Sequence, residues 1–132
     1  YDLIADVTRM GEWSPACTGA TWDEGAGPTV GSWFTGHNVI EDDRTYDSRC
    51  EITDAERPST IAWMQGGKDL GVTEWRYTFT PTDAGTEVTE SWTVLRPFPP
   101  DRVDDDRARM LKVRFGEAME ETLAKFKASA EA

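Results

Sequence analysis

The two-residue alternation of Val72–Thr80 constrains this chain more than any other feature. Trp75, Tyr77 and Phe79 fall on one side of an extended backbone, and Glu74, Arg76 and Thr78 on the other. Successive side chains of a strand point to opposite faces, so the segment predicts a strand with one apolar and one wet face. Thr45–Thr53 repeats the pattern, setting Tyr46, Ser48, Cys50 and Ile52 against Asp47, Arg49 and Glu51. In Thr86–Leu95, Val88, Glu90, Trp92 and Val94 share a face. After Pro97-Phe98-Pro99-Pro100 the period changes. Leu111, Phe115, Ala118/Met119, Thr122 and Phe126 step by three and four, which predicts a long amphipathic helix from about Asp101 or Asp104. Asp104–Asp106 near its start and Lys125 and Lys127 near its end suit the helix dipole. Strands first and a long helix last make an α+β domain.

Shorter signals fill in the rest. Tyr1, Leu3, Ile4 and Val7 have helical spacing, and Met10–Pro15 reads as a second short turn of helix closed by Pro15. Ala20–Glu24 is a short strand; Gly25, Gly27 and Pro28 turn the chain into a strand over Val30–Glu41. Glu41-Asp42-Asp43-Arg44 is a polar turn, Thr60–Met64 a shorter strand, and Asp83-Ala84-Gly85 a hairpin loop. No repeat or linker divides the 132 residues, so residues 1–132 form one domain.

Charge and residue usage exclude several functions. Fourteen Lys+Arg against twenty-five Asp+Glu give a net charge of −11, which repels nucleic-acid phosphates and anionic lipid headgroups. The longest apolar run, Ile61–Met64, falls far short of the ~20 residues a membrane helix needs, so no membrane insertion is expected. Cys17 and Cys50 allow one pairing and match no disulfide framework or zinc spacing; they read as reduced thiols in a cytoplasmic protein. With a single histidine, His37, no His-rich metal site forms, and neither metal nor cofactor is expected. The glycine-rich Gly25–Gly31 precedes a strand and lacks the phosphate-loop lysine, so it is a hairpin turn. There is no G-x-S-x-G elbow, and neither cysteine has a histidine at recognisable spacing.

What remains is aromatic. Six Trp, five Phe and three Tyr supply either an ample core or an aromatic-lined cavity. Among the inward set of its strand, Glu90 is the informative residue, because a carboxylate there is costly unless bonded, paired or neutralised. Three roles stand open for it: a core Glu tied to a neighbouring strand or arginine, a polar anchor inside a cavity, or a catalytic acid or base. In Val30–Ile40 both faces mix apolar and polar side chains, so parity does not choose between Phe34/Gly36/Asn38/Ile40 and Trp33/Thr35/His37/Val39. If Phe34 points inward, Asn38 brings an amide to the interior and His37 lies outside.

Several pieces in order resemble one family. They are Tyr1–Val7 with Met10-Gly11-Glu12-Trp13-Ser14-Pro15, and Val30-Gly31 with Phe34-x-Gly36-x-Asn38. Trp63, Trp75-x-Tyr77 and Gly85-Thr86-Glu87-Val88-Thr89-Glu90-Ser91-Trp92 follow. Together they resemble the START/Bet v 1-like (SRPBCC) superfamily of polyketide cyclase/dehydrase and lipid-transport proteins, and most of all its small actinobacterial members. The resemblance implies a helix-grip fold: a curved antiparallel sheet wrapped around the C-terminal helix, with an internal cavity. It also implies a first strand ahead of Tyr1, so the natural protein is expected to be longer at its N-terminus. Carried over position by position, it turns Phe34 and Asn38 inward. It is also consistent with Tyr46, Cys50, Trp63, Trp75, Tyr77, Glu90 and Trp92 lining the cavity, and these residues with Phe34, Asn38 and, from the helix, Leu111 and Phe115 are the expected ligand contacts.

Three functions follow as expectations. The first is binding or transport of a small hydrophobic or amphipathic ligand, lipid- or polyketide-like, by a monomer or homodimer. The second is a metal-independent polyketide cyclase or dehydratase in which Glu90 moves a proton. The third is an interaction module whose aromatics fill the core and whose Trp33/His37/Val39 face associates. Gly66–Gly71 and Pro97–Pro100 are the candidate entrance elements of a cavity.

Overall fold

In the computed structural model, which describes residues 1–39, 44–99 and 101–132, the alternating segments become neighbouring strands. A short helix α1 (Asp2–Ala5) and a 3-10 segment (Val7–Glu12) lead into β1 (Cys17–Trp22). Then come β2 (Trp33–Val39), β3 (Thr45–Glu56), β4 (Thr60–Gln65), β5 (Thr73–Thr82), β6 (Gly85–Val94) and the helix α2 (Asp105–Ala130). The sheet order is β1-β2-β3-β4-β5-β6, each strand antiparallel to the one before it. The open sheet is curved and takes α2 against it, the helix-grip arrangement of an α+β domain.

Register explains why the inward sets agree. Across β5 and β6, Trp75 stands opposite Trp92, Tyr77 opposite Glu90 and Phe79 opposite Val88. Across β2 and β3, Phe34 stands opposite Cys50 and Asn38 opposite Tyr46. A slip of one residue would turn every one of these side chains over, so the one-sided apolar pattern of β5 and β6 fixes their pairing.

The structure departs from the sequence pattern at strand ends, each time for a local reason. β1 starts at Cys17 rather than Ala20, because the Ser14 hydroxyl accepts from the amides of Ala16 (3.2 Å) and Cys17 (3.1 Å) and turns the chain into the sheet early. An irregularity between Cys17 and Gly19 hides the alternation there. β2 begins at Trp33 rather than Val30, since Gly31 takes φ 90° inside a turn closed by Ser32 N–H to the Thr29 carbonyl (3.1 Å). β3 runs on to Glu56 through a register shift between Ile52 and Asp54, which breaks its parity just where the pattern ends. The second helical turn is the 3-10 segment, starting earlier than Met10 because Asp6 caps it at Thr8 N (3.2 Å). α2 starts after Asp104, whose carboxyl accepts from Arg107 N at 2.8 Å. The polar turn over Glu41–Asp43, Ile40 and Pro100 lie outside the described residues.

The core sits at one end of the sheet, under the N-terminal segment. Ile4, Val7 and Trp13 there, and Ile52 and Ile61 on the strands, are at most 1% exposed. Tyr1 meets the edge of Phe79 at 5.6 Å, and Trp13 meets Phe126 of α2 at 5.4 Å. A second aromatic joint holds α2 eleven residues earlier, where Phe115 lies 5.3 Å from Trp75 and 5.0 Å from Trp92. The helix is therefore fastened by rings at two points, each pair contributing beyond its buried area.

Phe126→Ala should cost about 3–5 kcal/mol in urea denaturation, because it empties the joint with Trp13. Met110→Ala, at a position 51% exposed, should change stability by no more than about 0.5 kcal/mol. Equal effects at the two positions would contradict this placement of the helix.

Candidate functional site

Between its two ring joints α2 does not close on the sheet, and a cavity of about 100 Å³ remains. β2 brings Phe34, Gly36 and Asn38 to it, which settles the face that parity left open. β3 adds Tyr46, Ser48 and Cys50; β4 adds Trp63 and Gln65; β5 adds Trp75 and Tyr77; β6 adds Glu90. The helix closes the space with Phe115, Ala118, Met119 and Thr122, and Met10 and Ser14 stand at the N-terminal side.

Gly36 has a packing reason to be glycine. A methyl group there would come within 3.2 Å of the Ser48 hydroxyl, which accepts from the Asn38 amide nitrogen at 3.0 Å. The same amide nitrogen donates to the Gly36 carbonyl at 3.3 Å. Asn38 is thus held by its own strand and the next.

Glu90 is set differently. Its Oε1 atom is buried and has no hydrogen-bond partner. Burial pushes its pKa from 4.5 up to about 7, opposed by the hydroxyl of its cross-strand neighbour Tyr77. Burial, and then the Glu90 charge, raise the Tyr77 phenol well above its usual range. Cys50 is pushed up to about 12 by burial, and burial raises the Cys17 thiol as well. Both cysteines are free. At neutral pH the cavity therefore holds neutral thiols and phenols and one carboxyl balanced between its two forms. Such a carboxyl can give or take a proton, and it can accept a hydrogen bond from a guest.

Two of the sequence-assigned residues stand away from the wall. Trp92 packs beside it against Trp75 (6.3 Å), Phe115 and Phe98 (6.4 Å), because Phe115 occupies the space its ring would face. Leu111 lies one turn before Phe115, where the lining of α2 has not yet begun. Tyr46 reaches the wall from the rim and is 40% exposed. Conversely Ser48, Gln65 and Met119 line the cavity without having been singled out. Their signal was present: Ser48 and Gln65 are two residues from Tyr46 and Trp63, and Met119 is four from Phe115.

The outer face is occupied by other contacts. His37 lies 3.0 Å from both the Thr21 hydroxyl and the Asp47 carboxyl. The Arg49 guanidinium covers the Trp33 ring at 5.2 Å. Of the two candidate entrance elements, the β4–β5 loop is tied to the chain after β6 by Arg96, which donates to the carbonyls of Gly71 and Lys68. No group of three or more His, Cys, Asp or Glu side chains among the described residues is arranged to hold a metal ion. No described helix is long and apolar enough to cross a membrane.

Comparison with known proteins agrees with this architecture. The Ms6760 protein of Mycobacterium smegmatis, known from a crystal structure, superposes with a TM-score of 0.67 at 20% identity over 99% of this chain and 81% of that one. The NE0264 protein of Nitrosomonas europaea gives 0.66 at 11% identity, over 93% and 79%. The Polyketide_cyc-like protein Cgl2372 of Corynebacterium glutamicum is 35% identical over 99% of this chain and 76% of that one, with a TM-score of 0.49. No functionally curated protein matches the chain. Residues 1–131 match the family described as polyketide cyclase / dehydrase and lipid transport. The chain belongs to that family, within the START/Bet v 1-like superfamily.

Proposed function

We propose that this chain binds a small hydrophobic or amphipathic molecule, lipid- or polyketide-like in its apolar body, in the space between the sheet and α2. The observation that carries the reading is the setting of Glu90: a carboxyl oxygen without a partner on a wall it shares with the rings of Phe34, Trp63, Trp75, Tyr77 and Phe115. An unpartnered buried polar atom costs roughly 1–3 kcal/mol, and a ligand group that met it would remove that cost. Asn38 and Tyr46 stand on the same wall to orient the polar end. At about 100 Å³ the space is smaller than the ~150 Å³ apolar cavity that takes benzene, so it suits a compact guest, and a one-ring body needs the walls to give.

A second reading is favoured by one observation. A carboxyl with a pKa of about 7 facing a phenol is suited to moving a proton during cyclisation or dehydration of a polyketide-like chain. Glu90→Gln would then abolish turnover and spare binding. Binding ranks first because one acid stands in the cavity without a second group poised to share the chemistry.

Two measurements test the proposal. Tryptophan fluorescence and native mass spectrometry should detect one-ring apolar ligands, and Ala118→Leu, which fills the cavity from the helix side, should weaken them by about tenfold or more. An unchanged affinity in that variant would place the ligand elsewhere. Stability should also carry the signature of Glu90. Its pKa rises from 4.5 in the unfolded chain to about 7 in the fold, so the folded state binds the proton more tightly. Stability from this group is complete below about pH 4.5 and is lost as pH rises through about 7. Relative to Glu90→Gln, the wild type should lose up to about 3 kcal/mol across that window in urea titrations. A constant difference would refute the burial of the charge.

A further inference from the structure

The cavity contains a carboxyl and, among the described residues, no cation to match it. Among the described residues, no lysine, arginine or histidine lines the wall beside Glu90. Its other titratable groups, Cys17, Tyr46, Cys50 and Tyr77, all have raised pKa values and are neutral at pH 7. Arg107 and Arg114 of α2 act on the Tyr46 phenol, whereas only burial and the Tyr77 hydroxyl act on Glu90. In an interior of low dielectric, an ionised carboxyl without a counter-charge is expensive, so the site is incomplete as a charged site.

What stands around that carboxyl suits a positive guest. Trp75 and Phe115 meet edge to face at 5.3 Å, and Trp63 and Tyr77 lie 5.8 Å apart. Ring faces attract ammonium groups, by about 2 kcal/mol or more where water is excluded. The protein as a whole carries a net charge of −11, a field that gathers cations and turns anions away. A fatty-acid or other carboxylate ligand would meet repulsion from the ionised form of Glu90 as well as from the net charge.

We propose that the ligand of this cavity is a small organic amine, whose ammonium group pairs with the free Oε1 of Glu90 while its ring or short apolar body lies among Trp75, Tyr77 and Phe115. The inference rests on the cavity being the ligand site, as argued above, and adds the charge class of the guest. Pairing stabilises the ionised carboxyl, so binding displaces the Glu90 proton below about pH 7. Amine affinity therefore rises with pH up to that point and then levels off, until the amine itself loses its proton. The cavity's thiols and phenols stay neutral throughout that range and do not contribute.

The test compares three ligands of one size by isothermal titration calorimetry at about pH 8: phenethylamine, phenethyl alcohol and hydrocinnamate. The amine should bind about tenfold or more tightly than the alcohol, equivalent to about 1.4 kcal/mol, and hydrocinnamate should bind most weakly. In Glu90→Gln, checked for an unchanged melting profile, the amine should fall to the affinity of the alcohol while the alcohol shifts little. The wild-type comparison stands even if that variant fails to fold. Alcohol binding equal to or tighter than amine binding would overturn the cation assignment and leave the cavity as a site for neutral hydrogen-bond donors. Binding of none of the three would overturn both the assignment and the ligand-site reading beneath it.

Discussion

Two aromatic joints hold the terminal helix against the sheet, and the rest of the structure depends on their spacing. Phe126 seats on Trp13 at 5.4 Å, where the N-terminal segment has already packed the end of the sheet. Phe115 seats against Trp75 and Trp92 at the other point. Rings are long, stiff spacers, so the helix between them cannot settle fully onto the curved strands. Ala118, Met119 and Thr122 then face space rather than a filled core. A helix of leucines at these positions would have made a solid interior from the same topology.

That spacing gives Glu90 its character. The residue opposes Tyr77 across β5 and β6, and its inward direction follows from strand parity alone. Its missing partner follows from the helix standing off, since no side chain of α2 reaches Oε1. Desolvation without a counter-charge keeps its proton on until near neutral pH, whereas Arg76 on the opposite face of β5 meets Asp54 at 2.7 Å in partly wet surroundings. One sheet thus carries a paired, stabilising charge outside and an unpaired, responsive one inside. A fold selected for stability alone would gain by replacing that inner carboxyl with an apolar group.

Much of this was legible because each strand's parity agrees with its neighbour's. Trp75, Tyr77, Glu90 and Cys50 declare their side by the residues two away. Phe34 and Asn38 did not, since Trp33 and Val39 make the opposite face of β2 look equally apolar. The choice was made by tertiary contacts: Arg49 covers Trp33 outside, and Ser48 takes the Asn38 amide inside. The ends of β1 and β3 were obscured by register shifts, which destroy the period that locates a strand. Trp92 and Leu111 share the parity or helical face of lining residues yet stand off the wall, because periodicity gives direction but not depth. Trp92 instead packs against Phe115, which does line the cavity.

The measurement that bears most directly on this account is the side-chain carboxyl shift of Glu90, followed through pH by carbon-detected NMR. A buried, unpaired group between sheet and helix should titrate with a midpoint of about 7. A midpoint near the ordinary 4.5 would mean that the carboxyl is solvated or paired, and that the cavity does not have the character described.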